Sequence, residues 1–287
     1  MKPEEVKRIA VLGAGTMGHG IAQVCALAGY ETILRDVDAE TTLGGLERIR
    51  ANLEKAVRLG FTTSDDREAA LTRLRAEPDF GRAVESADLV IEAIPEAMDL
   101  KRQTFGALDR EAPAKAVLAT NTSSLPVTEI AACVERPERV VGMHFFNPVP
   151  AMKLVELIKA EQTGEDALAV ARDVAKRTGK EPIEVLDTPG FATSRLGILL
   201  AMEAIRMVEQ GVATAEEIDH AMTLGYRHPM GPLRLTDLVG LDVRLGVAEH
   251  LHAELGERFR PPALLRRMVR AGKLGKKTGR GFYRYDG

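Results

Sequence analysis

Over the first two thirds of the chain, short apolar runs alternate with stretches whose apolar positions fall every three or four residues. The runs Ile9 to Leu12, Thr32 to Arg35, Leu89 to Ala93, Ala116 to Thr120, Val140 to Met143, Lys153 to Ile158 and Pro182 to Leu186 have the length and composition of strands. After the first run, Met17, Ile21, Val24, Cys25 and Ala28 form a helical stripe that Gly29 stops. Leu43, Leu46, Ile49, Leu53 and Val57 make a second stripe, and Thr62 to Glu77 reads as a polar helical excursion. Strands that are apolar on both faces and alternate with helices predict an α/β fold: a Rossmann-type, doubly wound, mostly parallel sheet with some late variation.

At Asp187-Thr-Pro-Gly190 the alternation ends, which predicts domains at residues 1–187 and 188–287. Phe191 to Val208 reads as a helix that is apolar on most sides, ended by Gly211. Thr214-Ala-Glu-Glu217 is a capping box that opens the next helix. Further helices are expected near Leu233 to Leu255 and Pro262 to Ala271, giving an all-α C-terminal domain. A helix apolar nearly all round must be covered on several sides, so the one at Phe191 predicts the spine of this domain and a two-fold interface.

The first strand runs straight into Gly13-Ala14-Gly15-Thr16-Met17-Gly18, and the second ends on Asp36, 18 residues past Gly18. Gly13 permits a tight turn, Gly15 lets the backbone approach a pyrophosphate, and Gly18 lets the helix lie close to the strand. The helix N-terminus, opened by Thr16 and Met17, offers N–H groups to the phosphates. A lone glycine motif is weak, but with strand, helix and acid in place it predicts a dinucleotide site. A carboxylate at Asp36 can accept ribose hydroxyls and repels a 2′-phosphate, which favours NAD over NADP. Arg35 points to the other face by strand alternation.

Two strands carry polar residues where the pattern is otherwise apolar. His144 falls at the carboxyl end of its strand, where open α/β sheets keep their ligands. Glu156 shares a strand face with Leu154 and Ile158, and a carboxylate there is costly without a partner. The short connection between the two predicts an antiparallel pair that brings His144 to Glu156. Such a pair suits an alcohol dehydrogenase, with histidine as base, since imidazole titrates near about 6.5, and glutamate fixing its tautomer. Ser124 reads as an N-cap with Pro126 in the first turn, leaving Ser123 to hydrogen-bond a substrate oxygen.

Hydrophobic residues are 45% of the 287, charged residues 28%, and the net charge is −3, with no reason to expect nucleic acid or a membrane surface as partner. Cys25 and Cys133 sit in apolar helical patterns, as expected of a cytoplasmic protein. The histidines show no metal-ligand spacing, and no metal is expected. The basic run from Arg266 to Arg280 reads as a solvated face able to meet phosphates.

The motifs His144-Phe-Phe-Asn-Pro-Val-Pro, Asn121-Thr-Ser-Ser-Leu, Lys153-Leu-Val-Glu-Leu-Ile and Gly275-Lys-Lys-Thr-Gly-Arg-Gly-Phe-Tyr283 resemble those of the L-3-hydroxyacyl-CoA dehydrogenase family, nearest to its bacterial 3-hydroxybutyryl-CoA enzymes. The resemblance implies NAD-dependent oxidation of an L-3-hydroxyacyl-CoA and a homodimer built through the C-terminal helices. By position it implies His144 as base, Glu156 as its partner, Ser123 on the substrate hydroxyl near the nicotinamide, and Glu96, Lys101, Asn147 and Lys277 as cofactor contacts. Two positions depart from the pattern. Ser194 stands where many relatives have a substrate-holding Asn, and Leu59 stands beside Arg58 at a basic CoA-contacting position. These departures bear on chain length and CoA affinity. They leave open a dehydrogenase of a free 3-hydroxy acid or sugar acid, as in the L-gulonate 3-dehydrogenases. The other alternative is a non-catalytic NAD-binding protein.

Overall fold

The computed structural model describes residues 1–285, which divide into a unit Met1–Thr188 and a second unit beginning at Pro189. The first is an eight-stranded sheet in the order β3-β2-β1-β4-β5-β6-β7-β8. Its strands are β1 (Arg8–Leu12), β2 (Glu31–Arg35), β3 (Leu74–Ala76), β4 (Leu89–Glu92), β5 (Val117–Thr120), β6 (Val140–Phe145), β7 (Leu154–Lys159) and β8 (Glu181–Leu186). The covering helices are α1 (Gly18–Leu27), α2 (Ala39–Arg58), α3 (Ser64–Arg73), α4 (Phe80–Val84), α5 (Met98–Glu111), α6 (Val127–Ala131) and α7 (Glu165–Arg177). Strands β4, β5 and β6 are buried along their whole length, which is why their sequences run apolar without alternation.

Every neighbouring pair is parallel except β6 and β7. Only residues 146–153 join those two, and a parallel return needs a crossover of about a dozen residues or more, so the chain must fold back on itself. The sheet thus confirms the expected class and locates its late variation.

The structure corrects three expectations. The excursion from Thr62 to Glu77 is not all helix. Thr63 caps α3 by accepting from the Asp66 N–H, and the chain then extends so that Leu74 pairs with Thr32 at the sheet edge. Three residues are too few to display a period, so β3 was illegible. Strand β6 runs on to Phe145, beyond the expected Met143, with His144 still at its carboxyl end. The helix expected from Leu233 to Leu255 is two helices, α10 (Pro232–Val239) and α11 (Leu241–Leu255), parted at Gly240 with φ +107°.

In the second unit α8 (Thr193–Glu209), α9 (Ala215–His220), α10, α11 and α12 (Ala263–Arg270) pack around Met202, Ile205, Leu233, Leu241, Leu251 and Phe259. The Thr214–Glu217 capping box is formed in both directions. Buried Asp237 accepts from the Phe282 and Tyr283 N–H groups and the Tyr285 hydroxyl, which ties the C-terminal segment to α10. On α8, Met202 is fully buried while Leu196 is 69% exposed, so these helices do not cover α8 all round.

Candidate active site

The turn between β1 and α1 is fixed by packing that excludes side chains. Gly13 has φ +100°, and a Cβ on it would stand 2.5 Å from the Ala93 carbonyl oxygen. A Cβ on Gly18 would stand 1.7 Å from the Gly13 carbonyl oxygen, so α1 can approach the turn only as glycine. At Gly15 the direction of a Cβ meets nothing within 4 Å, and Gly15 and Thr16 are exposed. That open approach beside the first turn of α1, where Met17 stands before Gly18, fits a pyrophosphate held by backbone N–H groups. Asp36 accepts from the Ala14 N–H at 2.6 Å and from the Val37 N–H at 2.7 Å. The acid that would meet the ribose therefore also braces the phosphate turn. Arg35 is held elsewhere, on the Pro78 carbonyl and over the Phe80 ring.

At the same carboxyl edge of the parallel strands the β6–β7 register sets His144 directly opposite Glu156. Their side chains meet, Nδ1 to Oε2, at 2.8 Å, with Glu156 fully buried and His144 only 7% exposed. The carboxylate is wholly buried, and the imidazole gives it a hydrogen-bond partner. The His144 ring packs against Phe146, centroids 4.5 Å apart. The amide of Asn121 stitches β5 to β6 by accepting from the Phe145 N–H. A carboxylate on Nδ1 directs a proton-accepting role to Nε2, the geometry of a base with its orienting acid.

The turn after β5 is organised by Glu96. One oxygen, Oε1, accepts from the Thr122 hydroxyl at 2.7 Å, the Ser123 N–H at 2.8 Å, the Ser123 hydroxyl at 3.1 Å and the Ser124 N–H at 3.1 Å. Burial opposes ionisation of Glu96, but Lys101 and the hydrogen bonds from Thr122 and Ser123 outweigh it and hold the carboxyl below its ordinary range. Ser123 is thus held at both backbone and side chain. Ser124 does not cap α6. Pro126 takes the cap position, and Asp187 accepts from the Thr128 N–H at 2.7 Å, supplying the missing partner from a distant segment. Lys101 is wholly buried, 2.7 Å from Glu92 and 3.5 Å from Glu96.

Thr16 and Asn147 line a cavity of about 750 Å³ in this unit, with His19, Gln23, Asn52, Lys55, Leu59 and Phe61. Sequence reading missed most of this wall. The signal was present as helical spacing: His19 and Gln23 are four apart on α1, and Asn52 and Lys55 step along one face of α2 toward Leu59 at its C-cap. In the second unit Ser194 lies in the first turn of α8, and the Lys277 ammonium meets Asp242 at 2.7 Å. The basic run that holds Lys277 also pairs Arg266 with Glu249. Among the described residues no His, Cys, Asp and Glu cluster could hold a metal ion, and no helix is long and apolar enough to cross a membrane.

Residues 8–188 match the family described as 3-hydroxyacyl-CoA dehydrogenase, NAD binding domain, and residues 190–285 match its C-terminal domain. The 3-hydroxybutyryl-CoA dehydrogenase of Mycobacterium tuberculosis is 45% identical over 286 residues, covering 98% of this chain and 99% of that protein. The mitochondrial hydroxyacyl-coenzyme A dehydrogenase of Homo sapiens is 41% identical over 287 residues, 98% of this chain and 91% of the human one. The crystal structure of (S)-3-hydroxybutyryl-CoA dehydrogenase from Ralstonia eutropha superposes with a TM-score of 0.95 at 39% identity, over 99% of this chain and all 100% of that one. With a dinucleotide turn after β1 and a buried His–Glu pair on adjacent strands, the chain belongs to the 3-hydroxyacyl-CoA dehydrogenase family.

Proposed function

We propose that the protein oxidises an L-3-hydroxyacyl-CoA of short chain, such as 3-hydroxybutyryl-CoA, to the 3-ketoacyl-CoA with NAD, and catalyses the reverse. The observation that carries this reading is the buried His144–Glu156 pair. His144 Nε2 takes the proton of the substrate hydroxyl as the C–H bond gives up its electron pair, and Glu156 steadies the imidazolium that results. NAD, when bound, supplies the acceptor for that hydride. The turn Gly13, Ala14, Gly15, Thr16, Met17 and Gly18 holds its pyrophosphate and Asp36 its ribose, with Glu96, Lys101, Ser123, Asn147 and Lys277 as further contacts. Ser123, placed by Glu96, would turn its hydroxyl hydrogen from that carboxylate to the substrate oxygen while His144 takes the substrate proton. The substrate-binding role that the resemblance implies for Ser194 belongs to the same proposal, and a Ser194→Asn variant tests it.

Names of the relatives support the short acyl chain, and the cavity beside Lys55 and His19 offers room and polar groups for a carrier. NADH formation across L-3-hydroxyacyl-CoAs from four to sixteen carbons, with free 3-hydroxy acids in parallel, tests the assignment. Turnover of the free acids at equal rates would overturn the CoA-linked reading.

We further propose a homodimer through the C-terminal helices. Leu196 on α8, Leu238 on α10 and Val243 on α11 are 69%, 53% and 48% exposed, apolar surface that a second copy would cover. A cytoplasmic location is proposed on the same footing, supported by two free cysteines, of which Cys25 is buried.

A further inference from the structure

We propose that Lys180 is a positioning residue: its buried ammonium anchors the arm of residues 146–153 that joins β6 to β7, and so holds Asn147 and the cavity wall in place to receive cofactor and substrate. The inference rests on the reading of Asn147 as a cofactor contact and of the cavity as the seat of the CoA carrier.

Lys180 stands between α7 and β8. Gly179, at φ +75°, turns the chain there, and the Lys180 N–H returns to the Ala175 carbonyl, the bond that closes the helix end. From this fixed base the side chain runs inward and leaves Lys180 only 6% exposed. Its ammonium donates to the Val149 carbonyl at 2.5 Å and to the Met152 carbonyl at 2.9 Å. Among the described residues no carboxylate pairs with it, and burial holds its pKa below the ordinary lysine range. A charge so deep without an acid is costly, and the two charge-assisted bonds offset that cost only while the arm stays where it is. The arm in turn needs a donor from outside. Pro148 and Pro150 have no N–H, and the Ala151 and Met152 N–H groups both turn to the Pro148 carbonyl. The arm's own turn therefore leaves the Val149 and Met152 carbonyls unused, and Lys180 meets both. Two further supports confine the arm. Val149 is buried, and a Cβ on Gly20 of α1 would stand 2.9 Å from its Cβ. The Glu181 N–H holds the Lys153 carbonyl at 2.7 Å. Held in this way, residues 147–151 line the same cavity as Thr16 of the dinucleotide turn. The His144–Glu156 pair is set by the β6–β7 ladder instead, so Lys180 bears on binding rather than on proton transfer.

The test is the full-length Lys180→Met protein, with steady-state kinetics on 3-hydroxybutyryl-CoA and NAD affinity by calorimetry. KM for the acyl-CoA and Kd for NAD should each rise about tenfold, the effect of losing about one well-placed hydrogen bond. At saturation kcat should stay within about threefold of wild type, the pattern of lost uniform binding. In the Asn147→Ala background the same change should add little to the NAD defect, because the contact that it positions is gone. An anchor that serves stability alone would lower the denaturant midpoint and leave KM and Kd of the folded protein at wild-type values. That result overturns the proposal, as does a fall in kcat with binding intact, or NAD losses that multiply. If Lys180→Met does not fold, Lys180→Gln, uncharged and one bond shorter, takes its place under the same criteria. A wild type inactive on every 3-hydroxyacyl-CoA brings down the functional reading alone, and NAD calorimetry then decides on Lys180. An active wild type whose variants bind normally brings down the proposal alone.

Discussion

Replacing Glu156 by Gln removes a charge and little else, and so isolates what the carboxylate does for His144. Gln keeps an oxygen that can accept the Nδ1–H hydrogen bond, so the tautomer and the ring orientation survive. What is lost is attraction to the imidazolium that forms as the substrate proton arrives. The two groups meet at 2.8 Å between Nδ1 and Oε2, inside a sheet where Glu156 has no exposed surface. Charges about 4 Å apart at an effective dielectric of about 20 interact by about 4 kcal/mol. Hydrogen bonds to charged groups measured by mutation give about 1.5–3 kcal/mol. A loss of about 2–4 kcal/mol in the transition state lowers kcat by about 30- to 1,000-fold. Removing the base itself, by His144→Ala, should cost about 10²–10⁴-fold. NAD affinity should hardly change in either variant. Because both residues serve one proton transfer, the double variant should be scarcely slower than the worse single one. Steady-state NADH formation, normalised to the fraction of protein that binds NAD, measures each corner of this cycle. Losses that multiply would mean that His144 and Glu156 act separately, and the dyad would have to be given up.

Asp36→Ala removes the acceptor of the Ala14 N–H as well as the proposed ribose contact, so NAD should bind about ten- to a hundredfold more weakly, with a narrower margin over NADP. A wild type that already uses NADP as well as NAD would contradict the role given to Asp36. Gly18→Ala forces a Cβ to 1.7 Å from the Gly13 carbonyl oxygen and should cost stability and NAD binding together, whereas Gly15→Ala meets open space and should fold normally while binding NAD poorly. Denaturant unfolding and calorimetry separate the two, and equal behaviour would refute the division of labour in the turn. Light scattering should find a dimer, and Leu196→Glu should shift it toward monomer. A wild type that is monomeric at micromolar concentration would refute the interface.

What could be read from the sequence depended on how local the physics was. The dinucleotide turn was legible because strand, glycines, helix and acid all fall within a single strand–helix–strand unit. The His144–Glu156 contact was legible too, since one polar residue per apolar strand and a short connection leave only one register that pairs them. The break at Gly240 was masked because the residues on both sides keep a helical period. Ser124 has the chemistry of a cap, but a carboxylate from Asp187 took that task, and no local rule reports a partner so far along the chain.

Glu92 marks the boundary between the legible and the illegible. Like Glu156, it stands in an otherwise apolar strand, so its need for a partner could be inferred from position alone. The partner of Glu156 follows from a hairpin register. The partner of Glu92 depends on where the loop after β4 delivers the first turn of α5, and no periodicity encodes that distance. A carboxylate out of place in an apolar strand is therefore a reliable sign that something must meet it. What meets it decides whether the strand ends in a proton acceptor, as at His144, or in a buried ion pair, as at Lys101.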